Sequence, residues 1–108
     1  MTRWKESWKQ RSLFLLTKFN VLFSKTSEKQ VNTLDKQTKE RIRAALKELE
    51  IDPFQPRPKA DIKKLRKMSK HQFYRLRVGN YRVIYTIENT DVKIIKIIPR
   101  EKGYDWLD

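Results

Sequence analysis

Tyr74-Arg75-Leu76-Arg77-Val78, Gly79-Asn80, Tyr81-Arg82-Val83-Ile84-Tyr85-Thr86-Ile87 is the stretch that decides the fold. Two alternating runs flank a two-residue turn of glycine and asparagine, the strongest short-range signal for a β-hairpin. A two-residue loop pairs Val78 with Tyr81, Leu76 with Val83 and Tyr74 with Tyr85. These six side chains then share one face, suited to covering a helix. The other face carries Arg75, Arg77 and Arg82, with Arg77 directly opposite Arg82. Like charges facing each other across a sheet destabilise it by about 0.2–1 kcal/mol. A bound phosphate would reverse that sign through charge-assisted, bidentate hydrogen bonds.

Downstream, Asn89-Thr90-Asp91 reads as a turn and Val92 to Ile98 as a third strand. Its isoleucines on both faces suit a position inside the sheet. A one-residue slip decides whether Lys96 lies beside the arginines. Upstream, Asp61-Ile62-Lys63-Lys64-Leu65 suits either a helical turn or a short extended piece. Pro53, Pro56 and Pro58 make residues 52–60 a loop. Before it, Asp35 caps a helix over 36–50, with Ile42, Ala45, Leu46 and Leu49 on one stripe and the Glu40–Arg43 pair on the solvated side. Ser27 with Gln30 three residues on has the spacing of a capping box, which predicts that a shorter helix opens at Ser27. Phe19 to Ser24 reads as a strand with Phe19, Val21 and Phe23 on one face. The expected fold is α+β: a strand, a helical hairpin and a three-strand antiparallel meander, with the helices on one face of the sheet.

Residues 1–18 carry Trp4, Trp8 and Leu15 at helical spacing among basic residues. Docking on the core, contact with another chain and a poorly ordered start all fit that pattern. The division read from sequence is therefore an extension at 1–18 and one domain at 19–108.

The chain has 108 residues and a formal net charge of +13. Without cysteine and with His71 as its single histidine, it offers no thiolate zinc site, no histidine-pair metal site and no disulfide framework. No metal or small-molecule cofactor is expected. No apolar run is long enough to span a membrane, and the chain is expected to be cytoplasmic. The charge is concentrated: residues 57–82 hold ten cations against Asp61, whereas residues 83–108 hold four cations against five acids. Such a patch suits an anionic partner, nucleic acid first, an acidic protein second and an anionic membrane third.

The arginines come without a neighbouring acid pair, histidine pair or glycine-rich phosphate loop. Cleavage at such a site would rest on charge stabilisation. RNA permits this, because its 2′-hydroxyl is an internal nucleophile beside the phosphorus.

The run Asp61–Ile87, DIKKLRKMSKHQFYRLRVGNYRVIYTI, resembles the core of the RelE/ParE superfamily of toxins from toxin–antitoxin pairs. The similarity rests on a lysine–leucine–basic element followed by the Tyr-Arg-Leu-Arg-Val-Gly-x-Tyr-Arg-Val-Ile-Tyr hairpin. The upstream strand and helical hairpin and the ending PREKGYDWL are similar as well, over residues 19–108. The RelE branch implies ribosome-dependent mRNA cleavage in the A site, by 2′-hydroxyl attack that leaves a cyclic phosphate. It implies phosphate contact by Arg66, with Lys64 and Lys67 beside it, and a basic pair at Arg75 and Arg77. It further implies transition-state stabilisation by Arg82, leaving-group protonation or phosphate contact by Arg100, and base stacking or hydroxyl orientation by Tyr104. Some relatives have lysine at the Arg75 and Arg77 positions. Arginine, with a pKa above about 12, is a poor general base, which leaves Lys64, Lys67, His71 and Tyr104 as candidates, His71 the weakest of them. The family also implies an acidic antitoxin as partner, besides the ribosome and its mRNA. Two other functions share these features: a ParE-like toxin that inhibits gyrase without a nuclease site, and a non-enzymatic basic nucleic-acid-binding module.

Overall fold

The computed structural model describes residues 2–3, 18–68 and 70–102. The helical spacing of Trp4, Trp8 and Leu15 falls outside these residues, as does Tyr104. Six strands form a mixed sheet, with two helices against one face. They are β1 (Thr2–Arg3), β2 (Asn20–Phe23), α1 (Lys25–Asn32), α2 (Lys36–Ile51), β3 (Asp61–Met68), β4 (His71–Val78), β5 (Tyr81–Glu88) and β6 (Asp91–Pro99), followed by a 3₁₀ turn at Arg100–Lys102. The spatial order is β1-β2-β6-β5-β4-β3.

The hairpin has the predicted register: Val78 opposite Tyr81, Leu76 opposite Val83, Tyr74 opposite Tyr85, and Arg77 opposite Arg82. Gly79 takes φ +57, which suits glycine at the first central position of a tight hairpin turn. The extended alternative for residues 61–65 is the one realised. Asp61–Met68 pairs antiparallel with β4, so the meander gains a fourth strand at its edge. β6 is indeed interior, antiparallel to β5 and parallel to β2.

The core lies between helices and sheet. Ile42, Leu46 and Leu49 of α2 are fully buried against Val21, Phe23, Ile62, Leu76, Val83, Tyr85 and Ile94. α2 starts where expected, with the Asp35 carboxylate accepting from the Thr38 N–H and hydroxyl.

The start of α1 differs from the sequence reading. Its cap is Ser24, whose hydroxyl accepts from the Ser27 N–H. Ser27 and Gln30 have another task. Ser27 Oγ donates to the Ile94 carbonyl, Ser24 Oγ to the Ile95 carbonyl, and Gln30 Oε1 accepts from the Ile97 N–H. β2 stops at Phe23, opposite Ile94. Beyond that point no strand among the described residues pairs with the side of β6 facing β2, and buried backbone groups require partners. The polar residues of α1 supply them.

Arg57 binds the loop to the end of α2. Its guanidinium donates to the carbonyls of Glu48, Asp52 and Gln55 and pairs with the Glu48 carboxylate at 3.2 Å. A cation here also meets the negative end of the helix dipole.

Candidate nucleic-acid interface

The sheet face away from the helices presents Arg75 and Arg77 from β4 and Arg82 from β5. A bulge in β6 between the partners of Ile84 and Tyr85 sets Lys96 opposite Ile84 and Ile98 opposite Arg82. The register that places Lys96 on the arginine face is therefore the one adopted. Ile84 and Ile98 are themselves buried, at 0% and 5% exposure, so this face has an apolar floor.

The three arginines are not equivalent. Arg75 is mostly buried and pairs through Nη2 with Asp61 at 3.1 Å, while its Nε is buried without a hydrogen-bond partner among the described residues. Asp61 is the lone acid of the basic segment, and it reaches diagonally from the edge strand. Arg82 is half-buried, whereas Arg77 is exposed.

Arg100 joins the same end of the sheet. Its N–H donates to the Asn80 carbonyl at 2.8 Å, and Pro99 pairs with Tyr81. The end of β6 is thus fixed beside the β4–β5 turn, and Arg77, Arg82 and Arg100 sit at the same end of the sheet on three segments.

The expected phosphate contacts on β3 divide. A bulge sets Leu65 and Arg66 across from Phe73, on the arginine face. Lys64 and Lys67 pair with Tyr74 and Gln72, which puts both on the helix-side face. Their role was implied by the family resemblance; Lys64 lies on the helix side by plain alternation with Ile62, and Lys67 because the bulge after Lys64 shifts the alternation. His71 begins β4, six residues from Arg77, or about 20 Å along an extended strand. It is out of reach as a base for the Arg77–Arg82 end. Tyr85 is structural: its hydroxyl donates to the Pro53 carbonyl at 2.8 Å, and burial pushes its phenol pKa well above the usual range. Among the described residues no three His, Cys, Asp or Glu side chains cluster as metal ligands.

A face that is cationic and backed by apolar residues is suited to a phosphate backbone. The comparisons with known proteins give the family. A family model described as the ParE toxin of the type II toxin–antitoxin system parDE matches residues 18–104. The chain belongs to the RelE/ParE superfamily of toxins. Toxin RelE3 of Methanocaldococcus jannaschii is 30% identical over 86 residues, which are 80% of this chain and 96% of that protein. The toxin fold also matches two solved structures. The archaeal RelE–RelB complex from Pyrococcus horikoshii superposes with a TM-score of 0.69 at 33% identity, covering 80% of this chain and 99% of that one. The RelB–RelE antitoxin–toxin complex from Methanococcus jannaschii gives 0.62 at 26% identity, covering 81% and 99%. The RelE-like α+β architecture expected from sequence is therefore the one found. No helix among the described residues is long and apolar enough to cross a membrane.

Proposed function

We propose that this toxin is a ribosome-dependent endoribonuclease that cuts mRNA without a metal ion. The observation that carries the proposal is the Arg77–Arg82 pair, opposed across the hairpin and joined at the same end by Arg100. In the proposed step, the 2′-oxygen attacks the adjacent phosphorus and the bond to the 5′-oxygen breaks. The products are a 2′,3′-cyclic phosphate and a 5′-hydroxyl end. Arg82 and Arg77 stabilise the charge that builds on the phosphorane oxygens. Arg75 and Arg66 hold the flanking backbone, and the Asp61 carboxylate is the anion that RNA displaces from Arg75. Arg100 serves the leaving oxygen. The hydroxyl proton goes to a base, for which Lys96, diagonal to Arg82, is the residue to test beside Tyr104.

An acidic antitoxin partner is part of the proposal. The charge of +13 supports it, and both similar archaeal toxins were solved with RelB. A cytoplasmic location follows from the proposed substrate. The match to a family model named for ParE favours a second reading, in which the toxin inhibits gyrase and cuts no RNA.

The test is Arg82→Ala with cut-site mapping on translating ribosomes. Loss of one transition-state donor slows cleavage by about 10²–10³-fold, and circular dichroism should show the fold unchanged. Growth inhibition by the unaltered toxin with intact mRNA and gyrase-dependent DNA breaks would establish the second reading instead.

A further inference from the structure

An open groove of about 860 Å³ lies between α2 and the end of β4. Arg41, Lys47 and Lys59 line it, and it ends on Arg77, Val78 and Gly79. Its two acids are already engaged: Glu40 lies 3.7 Å from Arg43, and Glu48 pairs with Arg57. Arg41, Lys47 and Lys59 are exposed and have no acidic partner among the described residues. The Arg41 guanidinium reaches across to the hairpin turn, where Nη1 lies 3.5 Å from the position a Cβ would occupy on Gly79. The basic surface therefore continues from the Arg77–Arg82 pair, around the turn, and onto the helix layer.

We infer that this groove is a second phosphate-backbone site, which holds RNA flanking the segment on the arginine face. The inference rests on the reading of the toxin as an RNA-cleaving protein. Three features favour RNA over an acidic protein. The groove runs into Arg77, so one polyanionic strand meets both sites. Its floor is Ala44, Ala45 and Val78, without the large apolar anchors that dominate protein–protein contacts. Among the described residues the exposed large apolar ones, Ile51 and Phe54, do not line it.

The experiment uses the full chain and a 2′-O-methyl RNA oligomer, which cannot undergo 2′-hydroxyl attack. Binding is followed as a function of salt for the unaltered toxin and for the triple variant Arg41→Gln, Lys47→Gln, Lys59→Gln. Each lost phosphate contact lowers the slope of log K against log salt by about 0.7 for a single strand. The triple variant should show a slope shallower by about 2 and, at low salt, an affinity at least about tenfold weaker. The charge-preserving triple Arg41→Lys, Lys47→Arg, Lys59→Arg should keep the steep slope, which a merely structural role for these side chains would not require. An unchanged slope in the glutamine triple overturns the inference, whether or not antitoxin binding weakens. If antitoxin binding weakens alone, the groove belongs to the protein partner. If RNA binds with the predicted slope change but no message is cut, the groove stands and the nuclease reading falls. If the unaltered toxin binds no RNA, the groove inference falls, while the ribosome-dependent nuclease reading is decided by the cut-site mapping.

Discussion

The two faces of the β4–β5 hairpin are made from alternate residues of the same strands and obey different rules. On one face, Leu76, Val83 and Tyr85 are fully buried under Ile42, Leu46 and Leu49. Every pair there gains from being dry. On the other, Arg77 faces Arg82, and like charges opposed across a sheet are in general unfavourable. The helix-side face explains why the chain folds. The arginine face is the one that the proposed function assigns to an anion. Substitutions on the two faces should therefore separate stability from activity.

The largest stability effect belongs to the helix-side face. Leu46→Ala leaves a cavity at a position with no exposure and should lower unfolding free energy by about 2–5 kcal/mol in a urea titration. Next comes an arginine that follows the rule of the core. Arg57→Ala strips the last carbonyls of α2 of their donor and should cost about 2 kcal/mol, with cleavage intact in the folded fraction. Arg77→Gln inverts the pattern: it should raise unfolding free energy by up to about 1 kcal/mol in the absence of RNA while weakening cleavage. A stability loss there would break the distinction between the faces. The smallest effect is a control away from both. Hydrogen bonds from Thr38 lower the Asp35 pKa in the folded state. Their contribution is present above the ordinary aspartate range and is lost as pH falls through the lowered value. Asp35→Asn keeps a capping side chain, so its stability difference from the native chain should shrink on acidification.

Much of this contrast was legible in the sequence, because it depends on local chemistry. The alternation of residues 74–87 and the tight turn at Gly79-Asn80 specify both register and facing. Asp35 marks the start of α2 for the same reason. What escaped depends on neighbours distant in sequence. Asp61–Met68 is an edge strand interrupted by a bulge, and its lysines mask the alternation. Alternation with Ile62 puts Lys64 on the helix side, and the bulge sends Lys67 there as well. Ser27 and Gln30 look like a helix cap, but their partners are the backbone of β6, almost seventy residues away. Arg57 counts in sequence as one more cation of a basic patch. Only the folded chain brings α2 to it and turns it into a structural brace.

The account rests most directly on the nucleophile that the arginine face is proposed to serve. Translating ribosomes should be supplied with two messages that differ only by a 2′-deoxy nucleotide at the mapped cut site, and the fragment ends should be sequenced. The account predicts cleavage of the ribose message with a 2′,3′-cyclic phosphate end, and an intact deoxy message. Equal cleavage of both messages would contradict it.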